Sequence, residues 1–159
     1  MKSARGSLFF IFGNMAITDE IILSEAIRLV ESGVSVTFPV NGKSMLPFII
    51  GGRESLILVK PQAIKKGDIV LAFVDGNRYV IHRVINIHDE NVTLMGDGNL
   101  AQCEYCKMSD IKALATHAIN KSNARRYLYA RHRRIAAKLW FFLLPLRKWL
   151  LRFYRLTHN

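Results

Sequence analysis

Three residues of this chain, Ser44, His82 and Asp97, could together carry out acyl transfer. Ser44 lies in Val40-Asn41-Gly42-Lys43-Ser44-Met45-Leu46-Pro47, a short polar loop between two apolar, strand-like runs. Gly42 permits a tight backbone approach, and Pro47 fixes the exit direction by locking its own φ. A serine on such a corner can offer its hydroxyl and a neighbouring backbone N–H to one incoming carbonyl. The hydroxyl is barely ionised near neutral pH, so it needs a base within hydrogen-bond reach. A histidine can take that proton and return it to the leaving amine, while a carboxylate behind the ring fixes its tautomer. Each residue alone has a plainer reading: a connecting serine, a core histidine, an aspartate in a turn.

The elements that would position these groups are mostly short strands. Val34–Val40, rich in β-branched residues, predicts a strand entering the serine loop. Glu54–Val59 and Ile69–Val74 predict two more, with Asp68 leading into the second. Asp75-Gly76-Asn77 is a hairpin signal that returns the chain as Arg78–Ile87. Alternation along that strand puts Tyr79, Ile81, Arg83 and Ile85 on one face and Val80, His82 and Val84 on the other. Val92–Met95 follows, then the loop Gly96-Asp97-Gly98-Asn99, and Ile111–Ile119 closes the set as a strand or a helix. One helix precedes all of this. It starts at a Thr18 or Asp19 cap and runs to about Ser32, with Ile21, Ile22, Ala26, Leu29 and Val30 on one face and Gly33 as its stop. The expected fold is mainly β: an antiparallel domain with one N-terminal helix. Residues 1–33 form an apolar segment and that helix, 34–120 the β domain, and 121–159 a basic tail. The run within Ser7–Ile17 is too short to span a bilayer, so a strand or surface-docking segment is expected there.

The formal net charge of +11 is unevenly placed. Residues 1–120 hold as many acidic as basic side chains, whereas 121–159 hold eleven basic ones and no Asp or Glu. On a helical wheel, Leu139, Phe142, Leu143, Leu146, Trp149, Leu150, Phe153 and Tyr154 share a face. Lys148, Arg152 and Arg155 cover the other, with Lys138 and Arg147 at its edges. That pattern predicts a helix lying in the headgroups of an anionic membrane, with Pro145 kinking it or opening a second helix. The charges argue against a spanning helix. Packing of the same helix on the β domain, with a solvated basic face, is the plainer alternative. Nucleic acid is a disfavoured partner: Arg125–Arg134 with Tyr127 and Tyr129 could bind phosphates and stack bases, but such a site does not need the apolar face that follows. Cys103 and Cys106 have the spacing of half a zinc site or a redox pair, but neither a second Cys pair nor a thioredoxin-like context accompanies them. No metal or other cofactor is expected.

Four stretches in order resemble the boxes of the signal peptidase and LexA-like serine peptidase superfamily. Gly42-Lys43-Ser44-Met45-Leu46-Pro47 is similar to the nucleophile box, and Gly67-Asp68-Ile69-Val70 to the next one. His82-Arg83-Val84 resembles the general-base box and Gly96-Asp97-Gly98-Asn99 the final Gly-Asp box. Histidine in the base box matches the endoplasmic-reticulum, archaeal and sporulation-type branch, where the others use lysine. The resemblance implies a LexA/signal-peptidase-like β domain, with Ser44 as nucleophile, His82 as base and then acid, and Asp97 as the orienting carboxylate. The Ser44 N–H would belong to the oxyanion hole, with Gly42, Met45 and Pro47 shaping the site and Arg83 and Asp68 supporting it. Asp97 has a second possible role, a salt bridge to Arg83, as in the lysine branch. The histidine branch also implies a second aspartate after the Gly-Asp box. Here Ala101, Gln102, Cys103 and Glu104 stand there, leaving Glu104 and Asp110 as substitutes.

The expected activity is therefore a membrane-associated serine endopeptidase acting on an extended peptide or protein substrate with small residues near the cut. Without a clear N-terminal span, the expected place is peripheral on the cytoplasmic face, unlike that of an ordinary signal peptidase. Two alternatives remain open: a catalytically inactive peptide- or partner-binding module of the same fold, and a basic RNA-binding protein.

Overall fold

The computed structural model describes residues 17–157, apart from the side chains of residues 17–19, 155 and 157. Most of the apolar N-terminal run lies outside the described residues. The chain is mainly β. Its strands are β1 Val36–Pro39, β2 Glu54–Val59, β3 Ile69–Val74, β4 Arg78–His88, β5 Asn91–Met95, β6 Glu104–Lys107, β7 Ile111–Asn120 and β8 Arg125–Tyr127. They form one antiparallel sheet in the order β1-β2-β7-β3-β4-β5-β6, with β8 added to β7. Among the described residues three α-helices complete it: α1 Ile17–Glu31, α2 Arg131–Phe142 and α3 Arg147–Thr157. The segment 111–119, open between strand and helix in the sequence, belongs to strand β7, which lies between β2 and β3.

The sheet buries apolar residues on both faces, and β3 shows this directly. Ile69 and Leu71 join one cluster while Val70, Ala72 and Val74 join the other. Side chains alternate along a strand, so a strand buried on both sides reads as a continuous apolar run. Each buried Ile, Leu or Val side chain contributes about 1.5–3 kcal/mol relative to exposure. The first cluster is closed by α1 through Leu23, Ala26, Ile27 and Val30. This is the i, i+3, i+4, i+7 stripe of an amphipathic helix. It corrects the predicted face: Ala26 and Val30 are in the core, but Ile21 and Ile22 are exposed. Thr18 and Asp19 fall inside the first turn of α1 rather than before it. The helix ends as expected at Gly33, whose N–H donates to the Val30 carbonyl while Val34 N–H donates to that of Leu29, a Schellman pair.

Two short strands were not legible in the sequence, and both matter for the site. β6 pairs with β5 and aligns Glu104 with Leu94, which itself aligns with Val84. β8 continues into Leu128 and Tyr129, which pack into the α1 cluster, so the core extends into the basic tail. Tyr129 fixes that join by donating to the Ala115 carbonyl at 2.6 Å and accepting from Ile69 N–H at 3.0 Å.

Candidate active site

β4 delivers His82 on the face that also carries Val80 and Val84, and there the ring is 5% exposed. A buried imidazole needs hydrogen-bond partners. Its Nδ1 finds one in Glu104 Oε2 at 2.9 Å. The strand register explains the pairing. Val84, Leu94 and Glu104 stand in one row across β4, β5 and β6, so Glu104 lies on the sheet face of His82, two strands away. One residue beyond the Arg83–Met95 pair the chain reaches Gly96, which has no side chain to block the ring. A carboxylate in its ionised form only accepts, so this contact favours the tautomer with the proton on Nδ1 and the lone pair on Nε2. Arg78 stands 3.4 Å from the other Glu104 oxygen and offsets part of the buried negative charge.

Gly96 also brings His82 and the serine turn together. A Cβ added there would lie 2.5 Å from the Ser44 carbonyl oxygen and 3.0 Å from His82 Nε2. The Ser44 carbonyl and Nε2 of His82 therefore both approach the bare face of Gly96, which makes the turn and the ring neighbours. The next glycine repeats the device: Gly98 N–H donates to the Ser44 carbonyl at 2.7 Å, and a Cβ on Gly98 would come within 2.6 Å of the Lys43 carbonyl. Among the described residues no hydrogen bond joins Ser44 Oγ to His82, and the Ser44 N–H has no acceptor. An N–H left open in this way is a donor of the kind an oxyanion hole uses. Gly96→Ala should press on the Ser44 backbone, costing about 1–3 kcal/mol of stability. Displacing the turn by about 1 Å should also slow any cleavage by about 10²-fold. Denaturant unfolding and rate measurements on this single variant would test both.

Asp97 does not orient His82. Arg83, on the opposite face of β4, takes both of its oxygens, Nε to Oδ1 at 2.8 Å and Nη2 to Oδ2 at 2.7 Å. Alternation along β4 puts Arg83 and His82 on opposite faces, so a carboxylate paired with Arg83 is turned away from His82. Arg83 Nη1 also donates to the Gly67 carbonyl at 2.8 Å, tying the Gly67-Asp68 turn to the Gly-Asp loop. Burial opposes the Arg83 charge, yet its hydrogen bonds and attraction to Asp97 raise its pKa on balance. The pair is bidentate and mostly buried, the geometry in which a broken partnership costs most. Asp97→Ala should therefore destabilise the fold by about 3–5 kcal/mol, as a lowered denaturation midpoint.

The remaining predicted residues take structural places around the turn. Met45 is buried in the α1 cluster, Pro47 is half-buried after a cis peptide bond, and Gly42 is exposed with φ 88°. Asp68 accepts Lys65 N–H at 2.9 Å, and burial raises the pKa of its carboxyl. Of the two acids weighed as substitutes for a second aspartate, Glu104 reaches His82 whereas Asp110 accepts Lys107 N–H at 3.0 Å. Cys103 and Cys106 are free thiols, and burial pushes Cys106 up to about 11. No metal-binding cluster of His, Cys, Asp or Glu exists among the described residues.

Residues from the tail also reach this region, which no pattern in the sequence signals. Trp140 of α2 donates from Nε1 to the Asp97 carbonyl at 2.7 Å and packs edge-on against Phe48. Arg147, placed by the helical wheel at the edge of a solvated face, is 2% exposed. Its guanidinium donates to the Asn99 carbonyl at 2.7 Å and the Trp140 carbonyl at 3.1 Å. That burial lowers its pKa, against the attraction of Asp97. Arg126 of β8 holds the far side of the serine turn, donating to the Phe48 carbonyl and to Glu54.

Comparison with known proteins finds no matching family model, no similar curated protein and no similar solved structure.

Proposed function

We propose that this chain is a serine endopeptidase of the signal-peptidase and LexA-like type, with Ser44 as nucleophile, His82 as general base and Glu104 as the residue that positions the base. The observation that carries this reading is the placement of His82, with Nδ1 held by Glu104 and Nε2 beside the Ser44 turn at the bare face of Gly96. In the first step Ser44 Oγ attacks a peptide carbonyl as its proton passes to Nε2. The oxyanion forms at the Ser44 N–H, and the protonated imidazole then gives its proton to the leaving amine. Water, deprotonated by the same nitrogen, hydrolyses the acyl-enzyme and restores Ser44. Asp97 serves the site by holding Arg83 and the loop, outside the proton path.

The test is a library of unstructured peptides incubated with the chain, with new termini read by mass spectrometry. Cleavage after small residues is the expected result, and an intact library would overturn the reading. A second reading, a peptide-binding module without catalysis, draws on the missing Ser44–His82 hydrogen bond. Retention of peptides uncut by the folded chain would favour it.

A further inference from the structure

The two tail helices carry an apolar surface that the fold leaves uncovered. The segment breaks at Pro145 into α2 and α3, and the described residues include no helix long and apolar enough to cross a membrane. Leu139, Phe142, Leu146, Trp149, Phe153 and Leu156 are all more than half exposed, Phe142 reaching 81%. Along α3 the helical repeat separates three sectors. Arg147 and Leu151 are buried against the domain, Trp149, Phe153 and Leu156 project outward, and Lys148 and Arg152 lie between them, exposed. The helix is thus held on the protein by one sector and still offers an apolar sector and a basic one.

From this division we infer that α2 and α3 form a docking surface for an anionic lipid bilayer. Apolar side chains of this size left in water usually mark an interaction site. The adjoining basic side chains, with no acidic residue anywhere in 121–159, select a negatively charged partner. An aromatic and aliphatic sector flanked by Lys and Arg fits the headgroup boundary, where rings enter the acyl layer and cations meet phosphate. Nucleic acid would satisfy the cations and leave the apolar sector wet. The inference is independent of the peptidase reading, but the two meet in space. The lipid-facing helices hold the Asp97 and Asn99 carbonyls through Trp140 and Arg147, so the bilayer would be anchored to the loop that borders His82.

The experiment is flotation of the full chain with vesicles of phosphatidylcholine alone or mixed with phosphatidylglycerol. The chain should float with the mixed vesicles. Lys148→Gln with Arg152→Gln should weaken that binding by roughly thirty-fold. A Phe142→Ser, Trp149→Ser, Phe153→Ser variant should remain soluble and folded by circular dichroism. Brominated lipid should quench the fluorescence of Trp149, which is exposed, and spare Trp140. The inference is overturned if the full chain stays with the soluble fraction or the triple variant floats equally well. It is also overturned if the apolar sector proves to pair two copies of the chain, seen as a dimer that the triple variant dissolves. Tight binding of an RNA oligonucleotide by the triple variant, with no vesicle binding by the full chain, would assign the surface to nucleic acid. Peptide cleavage without vesicles is scored separately, so either reading can fail alone.

Discussion

Ser44→Ala is expected to abolish peptide cleavage while leaving the fold intact. Removing the nucleophile of a Ser-His pair typically lowers turnover by about 10⁴-fold or more, leaving only what the oxyanion donors and substrate binding contribute. The stability cost should be small, because the Ser44 side chain is only half-buried and the bond that fixes the turn is to its carbonyl, not its hydroxyl. Rates measured beside denaturant unfolding separate the two effects. Unchanged cleavage would remove Ser44 from the mechanism.

Glu104→Gln is the second large effect, and it distinguishes this site from one oriented by Asp97. Glutamine can offer an N–H to Nδ1, which would move the ring proton to Nε2, the nitrogen that must accept from serine. A wrong tautomer in a triad costs on the order of 10⁴-fold in kcat with geometry retained. KM should change little, since Glu104 is 1% exposed and away from solvent where a substrate binds. A variant with normal kcat would show that Glu104 is only a core partner of His82 and Arg78.

Strand alternation in the sequence separated His82 from Arg83, and Gly-Asp-Gly-Asn reads there as a loop, but nothing in it marks the close approach of Gly96 and Gly98 to the serine turn. The identity of the carboxylate behind His82 was harder to read. It depends on β6, four residues whose pairing is decided by β5 rather than by any strong pattern of their own. Burial of Ile21 and Ile22 was wrongly expected because a helix rich in apolar residues admits more than one apolar stripe, and the sheet selects which is used. Trp140 and Arg147 were illegible for a similar reason. The helical wheel ranks residues by polarity, and an arginine held by backbone carbonyls looks the same on it as one in water.

Arg147 has a practical consequence for how the chain is handled. Shortening it before residue 135 would remove Trp140 and Arg147 together, and with them the donors to the Asp97 and Asn99 carbonyls. A truncated protein made for solubility would then have an unbraced wall beside its histidine. Any change in its peptide cleavage would say nothing about whether the tail meets lipid. The C-terminal helices act as scaffolding for the domain as well as an outward-facing surface, and only point substitutions on their exposed sectors can test the one role without the other.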